Sequence, residues 1–118
     1  MARIIIVDDD EAFREVLSEV LINNGHEILD ASDGNVGMEV LILNPVDVAV
    51  VDMLMPGRNG FETIRDIKNL FPKTKIIAIS GSSLDDDLQT AKTIGADHTL
   101  SKPFKPTDLV SIIDELLA

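Results

Sequence analysis

Apolar residues along this chain fall into two alternating patterns. Short unbroken runs at residues 4–7 (IIIV), 48–51 (VAVV) and 76–79 (IIAI) read as strands buried on both faces, and predict strands over 3–7, 48–52 and 75–79. Between them the spacing turns helical. Phe13, Val16, Leu17, Val20 and Leu21 make one helical stripe, stopped by Asn24-Gly25. A short second strand over 27–31, nearer an edge, leads through an Asp33-Gly34 turn to an apolar helix over 36–43, ended by Asn44-Pro45. A third helix over 61–71 turns Phe61, Ile64, Ile67, Leu70 and Phe71 inward and Glu62, Arg65, Asp66 and Lys68 outward, and Pro72 stops it. A fourth, weakly apolar, covers 84–94, with Asp85, Asp86 and Asp87 at the positive end of its dipole and Gly95 as its stop. A fifth strand over 98–101 precedes a last helix over 106–117, which Pro106 opens.

Strand and helix thus alternate five times with short connections, the pattern of a parallel sheet covered by helices on both faces. Right-handed crossovers leave few topologies, and the doubly wound order 2-1-3-4-5 is expected, with strands one and three meeting at the switch point. At 118 residues, without repeat, linker or low-complexity segment, the chain is expected to be a single domain over 1–118.

Composition narrows the chemistry. A net charge of -11 disfavours nucleic acid and anionic membranes as direct partners and favours cations and basic protein surfaces. The absence of cysteine excludes disulfides, thiolate metal sites and cysteine nucleophiles. No apolar stretch approaches the roughly 20 residues of a membrane span, and the run at the N-terminus is too short for a signal peptide, so a cytoplasmic location is the default expectation. Trp and Tyr are absent, leaving little for stacking on bases or sugars.

Ligands of open parallel sheets sit at the carboxyl ends of the strands. There the first strand delivers Asp8 and Asp9, the third Asp52, the fourth Ser80 and the fifth Lys102. Three carboxylates crowded together repel unless a cation sits among them. An all-oxygen set selects a hard divalent ion, Mg²⁺ or Mn²⁺. With a lysine ammonium and a hydroxyl added, the site suits a phosphoryl group, and Asp52 is either a metal ligand alone or the nucleophile that accepts phosphate. Each residue also has an ordinary reading. Asp8-Asp9-Asp10 can cap a helix, Ser80 can belong to a turn, and Lys102 can be surface charge. What those readings leave unexplained is why all of them gather at one end of four strands.

This arrangement resembles the receiver domain of bacterial two-component response regulators, on IIIVDDDE at 4–11, VVDMLMPGRNG at 50–60, IIAISG at 76–81, GAD at 95–97 and SKPF at 101–104. The resemblance covers essentially the whole chain and implies a flavodoxin-like fold. It implies that Asp52 accepts a phosphoryl group from the phosphohistidine of a sensor histidine kinase or a phosphotransfer protein. Asp8, Asp9, Asp52 and the backbone carbonyl of Leu54 would hold Mg²⁺, Asp9 most directly. Ser80 and Lys102 would contact the phosphoryl group, and the Lys102–Pro103 bond would be cis. The domain would catalyse only its own phosphorylation and dephosphorylation and would regulate an output domain or protein. A homodimer through the helix 4–strand 5–helix 5 face is a further implied partner. Apolar residues on the last helix, Val110 and Leu117 among them, either serve such a contact or pack under neighbouring loops.

Two positions depart from the family pattern. The switch position, three residues before Lys102, is Thr99 rather than an aromatic ring, so its signalling change is expected to be smaller or carried by another group. Two residues beyond Asp52 stands Leu54, and two beyond Ser80 stands Ser82. Leu54 cannot hold a water and Ser82 is short, so a long-lived phosphoryl group is expected. His98 and His26 are read as strand-end and turn residues without a role.

Competing functions fare worse. A Mg²⁺-dependent phosphatase of the haloacid-dehalogenase type needs a second Asp where Leu54 stands. A flavodoxin-like FMN carrier needs a phosphate loop after the first strand and aromatic rings. A binding module without phosphorylation leaves the acids, Ser80 and Lys102 unexplained.

Overall fold

The computed structural model describes residues 1–53, 60–81 and 85–118, and for residues 85–88 the backbone alone. Ten elements alternate: β1 (Arg3–Val7), α1 (Glu11–Asn23), β2 (Glu27–Ala31), α2 (Gly34–Leu43), β3 (Val48–Asp52), α3 (Gly60–Leu70), β4 (Lys75–Ser80), α4 (Asp85–Ile94), β5 (His98–Ser101) and α5 (Pro106–Leu117). The five strands form one parallel sheet in the order β2-β1-β3-β4-β5, as expected, with β2 on an edge.

The unbroken apolar runs have a simple cause. Successive side chains of a strand point to opposite faces, and both faces here are covered. Ile5, Val7, Ala49, Val51, Ile76 and Ala78 pack with Met38 and Leu41 of α2, Ile64 and Ile67 of α3 and Ala91 of α4. Ile4, Ile6, Val48, Val50, Ile77 and Ile79 pack with Leu17 and Leu21 of α1 and Leu109, Ile112 and Ile113 of α5. Each fully buried Ile or Leu contributes about 1.5–3 kcal/mol relative to exposure, so this double burial holds the sheet ends in register.

Some local readings change. Val16 and Leu70, expected inside, are 52% and 61% exposed. Leu17 and Leu21 form the buried line of α1, and Val16 lies to its side. Leu70 ends α3, where Thr63, Ile64 and Ile67 are buried and Phe71 packs back on the core instead. Asp33-Gly34 is not a free turn, because Asp33 caps α2 by accepting the Val36 amide at 2.9 Å and Gly34 is the first helical residue. His26 is not idle either: its Nδ1 accepts the Ala2 amide at 3.2 Å and ties the residue before β1 to the turn before β2. On α5, Val110 is half-buried against the core while Leu117 is 41% exposed. The acidic first turn expected for α4 falls on side chains outside the described residues.

Candidate functional site

The acids after β1 divide their work. Asp10 is the N-cap of α1 and accepts the Phe13 amide at 3.1 Å. That satisfies one of the helix's orphan donors and bears out the capping reading for this residue alone. Asp8 turns inward, 1% exposed. Its Oδ1 accepts the Asp10 amide at 2.9 Å, and its own amide donates to the Ala31 carbonyl at 3.1 Å. Asp9 remains exposed beside it.

Asp52 ends β3 and is 5% exposed. The register pairs it with Ile79, and the Met53 amide donates to the Ile79 carbonyl at 2.8 Å. Ser80, fully buried, is therefore the next residue of the neighbouring strand. Its carbonyl accepts the Lys102 amide at 2.8 Å, which carries the end of β5 to the same place. Gly60 closes the site from the α3 side. A Cβ there would stand 2.5 Å from the Met53 Cα and 2.7 Å from the Asp52 carbonyl oxygen, so the start of α3 approaches the end of β3 as only glycine permits.

Asp8, Asp9 and Asp52 each offer a carboxylate oxygen within 4.8 Å of the others. The Lys102 ammonium, its side chain 26% exposed, lies 3.1 Å from Asp8 Oδ2 and 3.7 Å from Asp52 Oδ2. Burying carboxylates is costly unless they are paired. Among the described residues, two of the three clustered carboxylates, Asp8 and Asp52, pair with this ammonium, and Asp9 stands beside them. The donor set is oxygen throughout, which fits a small hard divalent cation. The Lys102–Pro103 peptide bond is cis. Leu54 and Ser82 lie outside the described residues.

Thr99 is half-buried on β5, and its amide donates to His98 Nδ1 at 3.0 Å. Leu100 packs on the α1–α5 side, so the preceding Thr99 belongs to the opposite face of the sheet.

Two contributors were not legible in the chain. Arg14 donates from Nη1 to the Asp8 carbonyl and from Nε to Asp30 on β2 at 3.3 Å, bracing the acidic turn against the edge strand. Phe13, read as a core position, places its ring 4.1 Å from the Lys102 ammonium. Helical spacing alone carries no signal for either contact.

The family model of the response regulator receiver domain matches residues 4–114, and the chain belongs to that family: it is a receiver domain of two-component response regulators. Among curated relatives, the response regulator GtcR of Aneurinibacillus migulanus is 33% identical over 97% of this chain and 47% of its own length. The transcriptional regulatory protein GlnL of Bacillus subtilis is 32% identical over 97% of this chain and 37% of its own. This chain therefore spans half or less of these relatives. Among solved structures, a CheY-like receiver domain protein from Methanospirillum hungatei superposes with a TM-score of 0.93 at 29% identity, over 98% of this chain and 92% of that one. The chemotaxis protein CheY4 of Vibrio cholerae gives 0.91 at 28% identity, over 98% of each chain. The phosphatase alternative finds no support among these matches. No helix among the described residues is long and apolar enough to cross a membrane.

Proposed function

We propose that Asp52 is the phosphoacceptor of this receiver domain, taking its phosphoryl group from the phosphohistidine of a sensor histidine kinase or a phosphotransfer protein. The observation that carries this reading is the gathering of Asp8, Asp9 and Asp52 at the carboxyl ends of the strands, with Lys102 against Asp8 and Asp52. An Asp52 oxygen attacks phosphorus, the N–P bond breaks, and its electron pair leaves with the imidazole, which takes a proton. The product is an acyl phosphate on Asp52. Asp8, Asp9, Asp52 and the Leu54 carbonyl are the proposed ligands of Mg²⁺. Bound there, the ion supplies positive charge against the transferring phosphoryl oxygens. Lys102 contributes a second positive charge, moving from Asp8 toward the new oxygens, and Ser80 hydrogen-bonds one of them. The domain turns over no external substrate beyond its phosphodonor.

Output follows from the rearrangement at Ser80 and Lys102, which lie at the ends of β4 and β5, and the partner it regulates is an output domain or protein. Thr99 stands at the switch position and has no ring to rotate, so the change is carried without an aromatic swing. Chemical shifts with and without beryllofluoride check this, and a large change confined to the Phe104 or His98 ring contradicts it. A second copy of the chain is the proposed partner of the α4–β5–α5 face. Sedimentation with and without beryllofluoride tests that contact. The central test is incubation with acetyl phosphate and Mg²⁺ followed by intact mass. One phosphoryl group is expected on the wild type and none on Asp52→Asn; equal labelling of the two overturns the assignment.

A further inference from the structure

Lys102 must reach Asp52 from a loop, on a side chain with four rotatable carbons, and a free lysine in that position would spend much of its time in solvent. Among the described residues, three groups are seen around its ammonium. Two are the carboxylates of Asp8 and Asp52, at 3.1 and 3.7 Å. The third is the face of the Phe13 ring, with the nitrogen 4.1 Å from the ring centroid. A cation at this distance over an aromatic face is attracted by the ring quadrupole. Phe13 is itself braced. The ring of Phe104, two residues beyond Lys102, meets it edge-on, with centroids 5.7 Å apart and planes at 86°. That is the favourable T-shaped arrangement of an aromatic pair. The loop after β5 thus supplies both the lysine and the ring that steadies its platform, while the first turn of α1 supplies the platform.

We infer that Phe13 is a positioning residue for the phosphoryl chemistry: its ring, held by Phe104, keeps the Lys102 ammonium over the Asp8–Asp52 pair. The carboxylates attract the ammonium but do not fix its direction of approach. The ring closes the side facing α1, leaving the nitrogen to move between Asp8 and a group arriving on Asp52. The kinetic part of this inference rests on Asp52 being the phosphoacceptor; the contact itself does not.

The test uses the full chain and two readouts. In the wild type, the Lys102 Hε protons are expected upfield, shifted by the ring current of Phe13. That shift should vanish in Phe13→Leu and persist in Phe13→Tyr, which keeps the ring. With acetyl phosphate as donor, no protein docking surface is involved. Under saturating Mg²⁺ the labelling rate of Phe13→Leu should fall about fivefold and that of Phe13→Tyr should recover it. A loss of packing alone would not follow the presence of the ring. Should Phe13→Leu lose its fold, Phe13→Met supplies a ringless side chain of similar length for both readouts. Unshifted Lys102 protons in the wild type, or equal labelling by the ringless and wild-type chains, overturn the inference. A wild type that takes no label overturns the phosphoacceptor reading and the kinetic role together, and the proton shift then decides the contact by itself.

Discussion

The two ends of the sheet use charge in opposite ways. At the amino ends of the strands, polar groups close loops through hydrogen bonds and ion pairs. The Arg3 amide donates to Asp47 at 2.9 Å, and its guanidinium pairs with Glu27 at 3.0 Å. Asp97 accepts the Ile76 amide at 2.8 Å and the Lys68 ammonium at 3.4 Å. The Arg3 and Glu27 side chains are 38% and 56% exposed, so their pairing is screened by solvent. At the carboxyl ends, Asp8 and Asp52 are buried and share Lys102, with a third acid, Asp9, beside them. The same strands that begin in partly exposed ion pairs finish, among the described residues, in a crowded acidic cluster that is largely buried. Structural upkeep explains the first arrangement. The second is the arrangement that the proposed metal site would use, because clustered carboxylates favour a bound cation.

The sharpest way to break this contrast is at Gly60. Its Cβ would collide with backbone at the end of β3, so Gly60→Ala is expected to cost about 3 kcal/mol in urea unfolding, whereas alanine ordinarily favours a helix over glycine. A loss below roughly 1 kcal/mol would show that this end has slack. Next comes the acidic cluster. Asp9→Ala removes an exposed oxygen from the cluster, and labelling by acetyl phosphate should slow about a hundredfold, roughly 2.7 kcal/mol of barrier. Added Mg²⁺ should raise the melting temperature of the wild type and not of this variant. Labelling that proceeds equally in EDTA would remove the metal from the account.

A smaller effect is expected two residues beyond Asp52. Leu54→Asn offers a water a hydrogen-bonding partner, and the phosphoryl group should be lost about tenfold faster, equivalent to roughly 1.4 kcal/mol. Phosphate release at an unchanged rate would assign the lifetime to Lys102 and the metal. The least effect belongs to the other end of the sheet. Glu27→Gln removes one partner of the exposed Arg3 pair and should cost under about 0.5 kcal/mol, with labelling unchanged. A variant that labels poorly would mean that the two ends are coupled.

How much of this was legible depends on the range of the forces involved. Strand identity follows from local patterning. A continuous run such as IIIV or VAVV cannot be half-solvated, and the alternation with helical stripes leaves little choice but a parallel sheet. The polar residue ending each run is therefore legible as a strand-end residue, and Asp8, Asp52 and Ser80 are of this kind. Helix faces were less legible. Val16 and Leu70 carry the right spacing, yet what a helix buries depends on where the sheet beneath it lies. Only the tertiary structure decided which of three consecutive acids caps α1 and which turns inward. Only it brought Lys102 to Asp8 across 94 residues, Arg14 to Asp30 on the edge strand, and the Phe13 ring under the lysine. Periodicity reports what a segment needs from its surroundings, namely burial on one side or two. It carries no information about which distant charge or ring will occupy the space, because that is settled by the packing of helices on the two faces of the sheet.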